Sequence, residues 1–422
     1  MYRPGWFPEY SPQDQKVFDL FHDTLRKHFE QRNYTHIHTP AVEPVDILSR
    51  GWDVFDKQVY GLYGLAQGTE DTKDYALHFD LTIPFARYTL DHLNEITFPF
   101  KRYQAQPVWR GERHKRGRYK EFWQFDIDTI WRSSQEVGVW YDAESIIVMM
   151  KALEDVFSTL KIEKKVIAKI SHIRLIQGLV QKRLLSWEES KELFKILDDR
   201  YKRTDEMNKK MLDALLSWEK SQFIQDIIAN NDLSVLSDCD GYEQMKEIGE
   251  YLNTMWIERE FALPIVRGHS YYTGVVAEFF VADDIELGAI AWGGRYENLT
   301  DFIDKKHSFS GVGMSVSNRL MELLLKYGTY DGNDKETYFF LNFDETRTGI
   351  LSLIKTFISE WKVCEFYPVE AKFGKQLEYA NKKWYRYAVI LGSDELKKWY
   401  YQVKDLIKGE VTEITLDIST DS

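Results

Sequence analysis

The chain is poor in cysteine, in long apolar runs and in positive charge. Only two of its 422 residues are cysteine, Cys239 and Cys364, and neither has a neighbour at metal-ligand spacing. That points to two reduced, inert thiols rather than a disulfide or zinc framework, so no metal-binding residue is expected. No apolar stretch is long enough to predict a membrane span. The opening MYRPGWFPEYSP is polar and proline-punctuated, unlike a secretory leader. It predicts an ordered or semi-ordered lead-in, and the expected compartment is the cytoplasm. Against 67 Asp and Glu there are 55 Lys and Arg, a net charge of -12. That balance excludes a general nucleic-acid coat but leaves room for a local basic patch. No internal repeat and no low-complexity tract is visible.

A chain of 422 residues with 44% hydrophobic and 29% charged side chains suits two or three domains. Ser11 and Pro12 predict the start of a helix over 12–32, with Val17, Leu20, Phe21, Leu25 and Phe29 at helical spacing. YTHIHTPAVEP, residues 34–44, is expected as a short strand leading into a turn, and residues 75–79 as another short strand. Aromatic-rich strands are expected over 98–110 and 121–132, and a long helix over 139–159. A strand follows at 164–170. Residues 173–262 are helical and charged and read as a helical insertion domain. Strands are expected again at 264–267, 274–283 and 286–292, and a helix from near Ser317. This divides a catalytic region into 1–172 and 263–327. A polar linker at 328–335 leads into a compact α/β domain over 336–422, with a mixed sheet.

Several groups are equipped for chemistry. Arg110, Arg113, Lys115, Arg116 and Arg118, with Glu112 among them, crowd into one predicted hairpin tip. Guanidinium forks suit phosphate oxygens, although a solvated turn has the same look. The next strand, FWQFDID, alternates. Phe122, Gln124, Asp126 and Asp128 share one face, and Trp123, Phe125 and Ile127 the other. That polar face is too rich for core and reads as the floor of a pocket. In FDLT, Asp80 and Thr82 can hold an amine or cap a helix. IVRGHSYYTG, residues 265–274, carries Arg267, His269, Tyr271 and Tyr272, and an extended chain turns at most one tyrosine to a pocket. His269 reads as a general base or, more simply, a surface histidine. WGGRYENL, residues 292–299, is expected as a tight turn. GVGMSVSNRL, residues 311–320, lacks both Rossmann and P-loop spacing, and its Arg319 suits an anionic partner or plain solvent.

Together, LHFDLTIPFARY, WRGERHKRGRYKEFWQFDID, VRGHSYYTG, GGRYENL and KFGKQLEYANKK…YAVILGSDEL resemble the signature segments of the histidyl-tRNA synthetases, in order and over nearly the whole chain. The resemblance implies an α+β class II synthetase fold: an antiparallel sheet of six strands flanked by helices, a helical insertion and a C-terminal α/β anticodon-binding domain. It implies an ATP-dependent ligase that makes histidyl-adenylate and pyrophosphate, then transfers histidine to the 3′ end of its tRNA. Arg110 and Arg267 would be catalytic, acting on the α-phosphate. Arg110, Glu112, Arg113, Arg118, Phe122 and Arg319 would bind ATP. Asp80, Thr82, Gln124, Asp128, Arg267, Tyr271 and Tyr272 would bind histidine. Lys115 and Arg116 would meet the tRNA acceptor end, which carries an extra 5′ guanosine. Mg²⁺ would bridge the ATP phosphates, and the protein would be a homodimer built partly on residues 12–50.

The chain departs from the family pattern in places. His269-Ser270 stands where Leu-Asp is usual, and Ser317-Asn318 precedes Arg319 where glycine and an acidic residue are usual. Trp384 and Trp399 stand where a turn glycine is typical, and Trp292 beside a glycine pair where a further glycine is common. A catalytically silent paralogue, regulating a histidine-biosynthesis phosphoribosyltransferase, is the alternative reading. Such paralogues usually lack the C-terminal domain and the arginine at 267. A plain RNA-binding scaffold would have no use for the polar face of 122–128.

Overall fold

A computed structural model describes residues 4–51, 59–62, 74–111, 119–182, 185–198, 203–230, 232–262, 272–284, 287–317, 320–329 and 336–416. Expectations placed on Glu112, Arg113, Lys115, Arg116, Arg118, Arg267, His269, Ser270, Tyr271, Asn318, Arg319 and the strand at 264–267 lie outside the described residues. The chain divides into two units, Met1–Thr329 and Tyr330–Ser422.

The first unit is built on one sheet. Its strands are β1 (Thr35–His36), β5 (Phe100–Trp109), β6 (Glu121–Arg132), β7 (Val166–His172), β8 (Arg259–Phe261), β9 (Tyr272–Val281), β10 (Ala291–Tyr296) and β11 (Phe309–Ser317). They lie in the order β1-β5-β6-β11-β10-β9-β7-β8. The six inner strands are antiparallel throughout, as expected, and β1 and β8 add short parallel edges. A small second sheet joins β2 (Val42–Pro44), β3 (Tyr60–Leu62) and β4 (Tyr75–Leu77).

Helix α1 (Pro12–Gln31) starts as its sequence dictates, with Ser11 Oγ accepting from the Asp14 amide at 3.2 Å. Its apolar stripe, Val17, Phe21, Leu25 and Phe29, is buried, and Phe21 meets Phe125 of β6 edge-on. The other long helix, α4 (Trp140–Thr159), is buried along most of its length. Helices α2 (Val45–Gly51) and α3 (Thr82–Asp91) flank the small sheet, with Ile83 of α3 packing against Leu48, Ala76 and Phe79. Between β7 and β8 the described residues form helices α5 (Ile173–Lys182), α6 (Trp187–Asp198), α7 (Asp205–Leu215), α8 (Trp218–Asn230) and α9 (Tyr242–Thr254). Helix α10 (Met321–Tyr327) starts four residues beyond the Ser317 expected, because β11 extends through Ser317.

Of residues 292–299, expected as a tight turn, 292–296 run instead in β10 and a bend follows only at 297–299, and the strand expected at 286–292 begins only at Ala291. The glycines there answer a close strand approach: a Cβ on Gly293 would lie 2.0 Å from the Gly313 carbonyl oxygen of β11. Arg295, from the same strand, fastens α4. Its Nε donates to Asp142 Oδ1 at 2.9 Å, its Nη2 to the Gly138 carbonyl at 2.8 Å, and its guanidinium stacks 4.9 Å from the Trp131 ring centroid.

The second unit has strands β12 (Thr337–Phe340), β13 (Val363–Phe366), β14 (Tyr387–Ile390), β15 (Tyr400–Asp405) and β16 (Val411–Thr415), in the order β13-β12-β14-β15-β16. The first three are mutually parallel and the last two antiparallel, so the sheet is mixed. Helices α11 (Arg347–Ser359), α12 (Phe373–Lys382) and α13 (Ser393–Lys397) complete it. Buried Gln376 clamps two loops, donating to the Asn342 and Ala371 carbonyls at 2.8 and 2.7 Å and accepting from the Asn342 amide at 2.7 Å.

Truncating Arg295 leaves the buried Asp142 carboxylate unpaired. Arg295→Ala should lower the unfolding free energy of the first unit by roughly 3–5 kcal/mol. A denaturant midpoint equal to that of the unaltered protein would show that the pair does not anchor α4.

Candidate functional site

Alternation along three neighbouring strands gathers a polar patch on one face of the main sheet. β5 contributes Arg102, Gln104 and Gln106, which lie opposite Asp128, Asp126 and Gln124 of β6. β11 brings Gly313, Ser315 and Ser317 opposite the same three β6 residues. The row through Asp126 crosses the sheet, Gln104–Asp126–Ser315–Trp292–Glu278–Lys169, each residue paired with the next. Of the polar side chains in these rows, Arg102, Gln104, Gln106, Gln124, Asp126, Asp128, Ser317, Glu278 and Lys169 are buried. A sheet interior admits so much polarity only when it is paired internally or serves a ligand.

Much of it is paired. Arg102 is wholly buried, its Nη2 2.7 Å from Asp128 Oδ2 and its guanidinium 4.3 Å from the Phe85 ring centroid of α3. Its Nη1 donates to Gln104 Oε1 at 3.2 Å, and Gln104 donates in turn to Thr39 Oγ1 at 2.7 Å. Gln106 exchanges bonds with the Thr39 backbone, 3.0 Å to the amide and 2.8 Å to the carbonyl. The other oxygen of Asp128 accepts from the Tyr296 hydroxyl at 2.6 Å, and Gln124 Nε2 donates to Ser315 Oγ at 3.2 Å. Beside Asp128, the buried acceptors Gln124 Oε1 and Asp126 Oδ1 have no hydrogen-bond partner among the described residues.

The electrostatics match that shortfall. Burial pushes the Asp128 carboxyl up to about 7 against the pull of Arg102, and the Asp126 charge pushes the same way. Asp126 is also raised, by burial first, with Arg102, Ser315 and Arg110 opposing. Two buried carboxylates are thus served closely by one buried guanidinium. When both are ionised, Asp126 and Asp128 share one close guanidinium among the described residues, that of Arg102, with Arg110 acting on Asp126 less strongly.

Of the expected site residues, those that the structure describes are placed as follows. Asp128 and Gln124 belong to it. Tyr272 begins β9 and packs among Tyr296 and Leu299. Asp80 and Thr82 lie at the start of α3, where Asp80 Oδ1 accepts from the Ile83 amide at 3.2 Å, so the carboxylate does act as a helix cap. Arg110, just past β5, donates from Nε to the Phe79 carbonyl at 2.9 Å and lies 5.0 Å from the Phe122 ring centroid. Arg102, Gln104, Gln106, Ser315, Tyr296, Glu278 and Lys169 were not singled out from sequence as site residues. The first three carry the same signal as FWQFDID, a polar residue at every second position of RYQAQ. Ser315 has none, since its place depends on strand pairing, and Tyr296 lies in the signature segment GGRYENL with nothing local to tie it to Asp128.

Comparison with known proteins bears on the whole chain. A family description, histidyl-tRNA synthetase, matches residues 7–320, and one for an anticodon-binding domain matches 357–419. A histidine–tRNA ligase of Clostridium acetobutylicum is 30% identical, covering 98% of this chain and 97% of its own length. One from Cutibacterium acnes is 32% identical, over 89% and 87%. The crystal structure of histidyl-tRNA synthetase from a Nostoc species superposes with a TM-score of 0.84 at 27% identity, covering 98% of this chain and 96% of that one. A Bacillus halodurans structure, described as an ATP phosphoribosyltransferase regulatory subunit/histidyl-tRNA synthetase, has a TM-score of 0.70 at 19% identity, covering 90% and 96%, a likeness of fold alone.

A carboxyl raised by folding is held protonated more tightly in the native state. Its contribution to stability is full below about pH 4, its unfolded value, and is lost as pH rises through about 7. The ligand-free protein should therefore lose unfolding free energy across that window, and Asp128→Asn should remove part of the loss. Identical pH profiles for the two proteins would show that Asp128 titrates normally.

Proposed function

The chain belongs to the histidyl-tRNA synthetase family, and we infer that the polar floor centred on Arg102 and Asp128 is where it recognises histidine. It is an ATP-dependent ligase that joins histidine to tRNA. The observation that carries the assignment of the floor is its pair of carboxylates sharing one close guanidinium, beside the unpartnered acceptors Gln124 Oε1 and Asp126 Oδ1. Histidine supplies what is short: an ammonium group and an imidazole N–H. Asp80, Thr82, Gln124, Asp128 and Tyr272 then contact the amino acid, with Arg267 and Tyr271 assigned by the family resemblance.

In the first step the histidine carboxylate attacks the α-phosphorus of ATP, the bond to the β-phosphate oxygen breaks, and pyrophosphate leaves. The protein's task is to align the two and stabilise spreading negative charge. Arg110 suits it, since the Phe79 carbonyl and the Phe122 ring fix its guanidinium beforehand. Arg267 acts beside it, Phe122 offers a face to adenine, and Glu112, Arg113, Arg118 and Arg319 bind the remainder of the nucleotide. Mg²⁺ belongs with the hard oxygens of the ATP phosphates. Among the described residues no group of three or more His, Cys, Asp or Glu side chains could hold a metal ion. In the second step the terminal ribose hydroxyl of tRNA attacks the acyl carbon, and AMP leaves, its phosphate taking the proton. Lys115 and Arg116 meet the acceptor end, and the second unit reads the anticodon. The family resemblance supports a homodimer in the cytoplasm. Among the described residues no helix is long and apolar enough to cross a membrane.

Histidine-dependent ATP–pyrophosphate exchange tests the reading. Arg110→Ala should lower kcat by about 10²–10³-fold. Asp128→Asn should raise KM for histidine by about tenfold or more and leave KM for ATP nearly unchanged. No exchange by the folded, unaltered protein would remove the ligase reading. Equal changes in both KM values would move histidine away from this floor. Unchanged exchange in Arg267→Ala would withdraw only the role given to that arginine.

A further inference from the structure

Eight described residues other than glycine have a positive φ, and five of them are tryptophan: Trp6, Trp256, Trp361, Trp384 and Trp399, at 72°, 56°, 60°, 60° and 59°. The others are Asn33, Lys161 and Asn298. Asparagine visits the left-handed region readily, but a bulky aromatic there is an outlier. The locations are as unusual as the angles. Trp256 follows α9, with its amide bonded to the Asn253 carbonyl and the next amide, Ile257, to Leu252. Trp361 follows α11 with the same pair of bonds, to Ile358 and, from Lys362, to Phe357. Trp384 follows α12 likewise, to Asn381 and, from Tyr385, to Ala380. Trp399 follows α13, its amide bonded to Leu396. This is the left-handed position that ends a helix, where glycine is strongly favoured because it has no Cβ.

At the four helix ends packing gives the indoles no reason to be there. Trp256 and Trp361 are 87% and 95% exposed, and Trp384 and Trp399 are more than half exposed. Trp109 and Trp123 differ on both counts. They lie in extended strands, the first donating from Nε1 to Glu121 at 2.7 Å, the second packed on Phe18, His22 and Phe125. Trp109 and Trp123 are thus used as tryptophan, whereas the five with positive φ stand where the backbone favours glycine.

We propose that Trp6, Trp256, Trp361, Trp384 and Trp399 are glycines in the protein as its own cells make it, because the codon at these five places is read there as glycine. Two codons can be written as tryptophan. UGG is one, and UGA, elsewhere a stop, is the other under some decoding rules. UGA differs from the glycine codon GGA in its first base alone. A glycine-carrying tRNA altered at one anticodon base would therefore read it, and such a tRNA is the partner this chain requires for its synthesis. The proposal stands apart from the ligase reading and does not depend on it.

The gene sequence tests it directly: UGA is expected at the five positions and UGG at Trp109 and Trp123. Mass spectrometry of peptides from protein purified out of the source cells should then show glycine at the five and tryptophan at the two. UGG at the five, or tryptophan in those native peptides, overturns the proposal. Folding offers a second arm. Three of the five lie in the second unit, and a W361G/W384G/W399G variant should melt higher than the all-tryptophan chain by roughly 5–10 °C. A variant that melts lower, or that loses tRNA affinity because the exposed indoles stack on bases, overturns it as well.

Discussion

A buried guanidinium needs its charge answered within a few ångströms, and Arg102 sets the terms for the structure around it. Asp128 answers the charge, Gln104 takes one of its N–H groups, and the Phe85 ring covers its face. Each of these partners has a further tie: Asp128 to Tyr296 of β10, Gln104 to Thr39 ahead of the small sheet, Phe85 to α3. One side chain thereby couples three strands, a helix and the segment leading to β2. Replacing it alone with an apolar residue would strand two buried carboxylates, so the sheet around Asp126 and Asp128 depends on its charge.

That arrangement also explains how an acidic protein can handle a nucleotide and a nucleic acid. The net charge of -12 is a whole-chain sum. Arg110 lies just past the end of β5, whereas Asp126 and Asp128 lie deep in β6 and Arg102 opposite them in β5. A site with positive charge toward the strand end and an excess of carboxylate on its floor separates triphosphate from amino acid by sign. On the proposed assignment of the floor to histidine and of Arg110 to ATP, charge alone would sort the two substrates of the first step.

Much of the fold could be read from local pattern. Ser11-Pro12 and the apolar stripe of α1 placed that helix to within a residue, and the alternation of FWQFDID assigned both faces of β6. Information that lives in pairing could not be read. The glycines of residues 292–299 look like a turn, and only β11 lying against them shows that they make room for a neighbouring backbone. Arg102, Gln104 and Gln106 alternate as clearly as β6 does, but their meaning comes from the residues opposite. β15 and β16 went unassigned because their side chains, KWYYQVKD and VTEIT, are largely polar or exposed and carry a weak core signal. Trp292, Trp384 and Trp399 were marked as glycine places by resemblance, but Trp292 lies in β10 without a positive φ; Trp256, Trp361 and Trp6 needed the backbone angles.

Gly313 lies directly opposite Asp128, and a Cβ there would come within 2.1 Å of Asp128 Oδ1. The functional patch therefore has a position whose requirement is emptiness. Alanine, the substitution normally chosen to probe a side chain by removing it, would here add an obstacle, displacing the carboxylate from Arg102 and Tyr296. A scan that ranks positions by what is lost on truncation would leave this one unscored. In mutational terms the floor is more vulnerable to the gain of a methyl group at a bare strand crossing than to many losses at its rim.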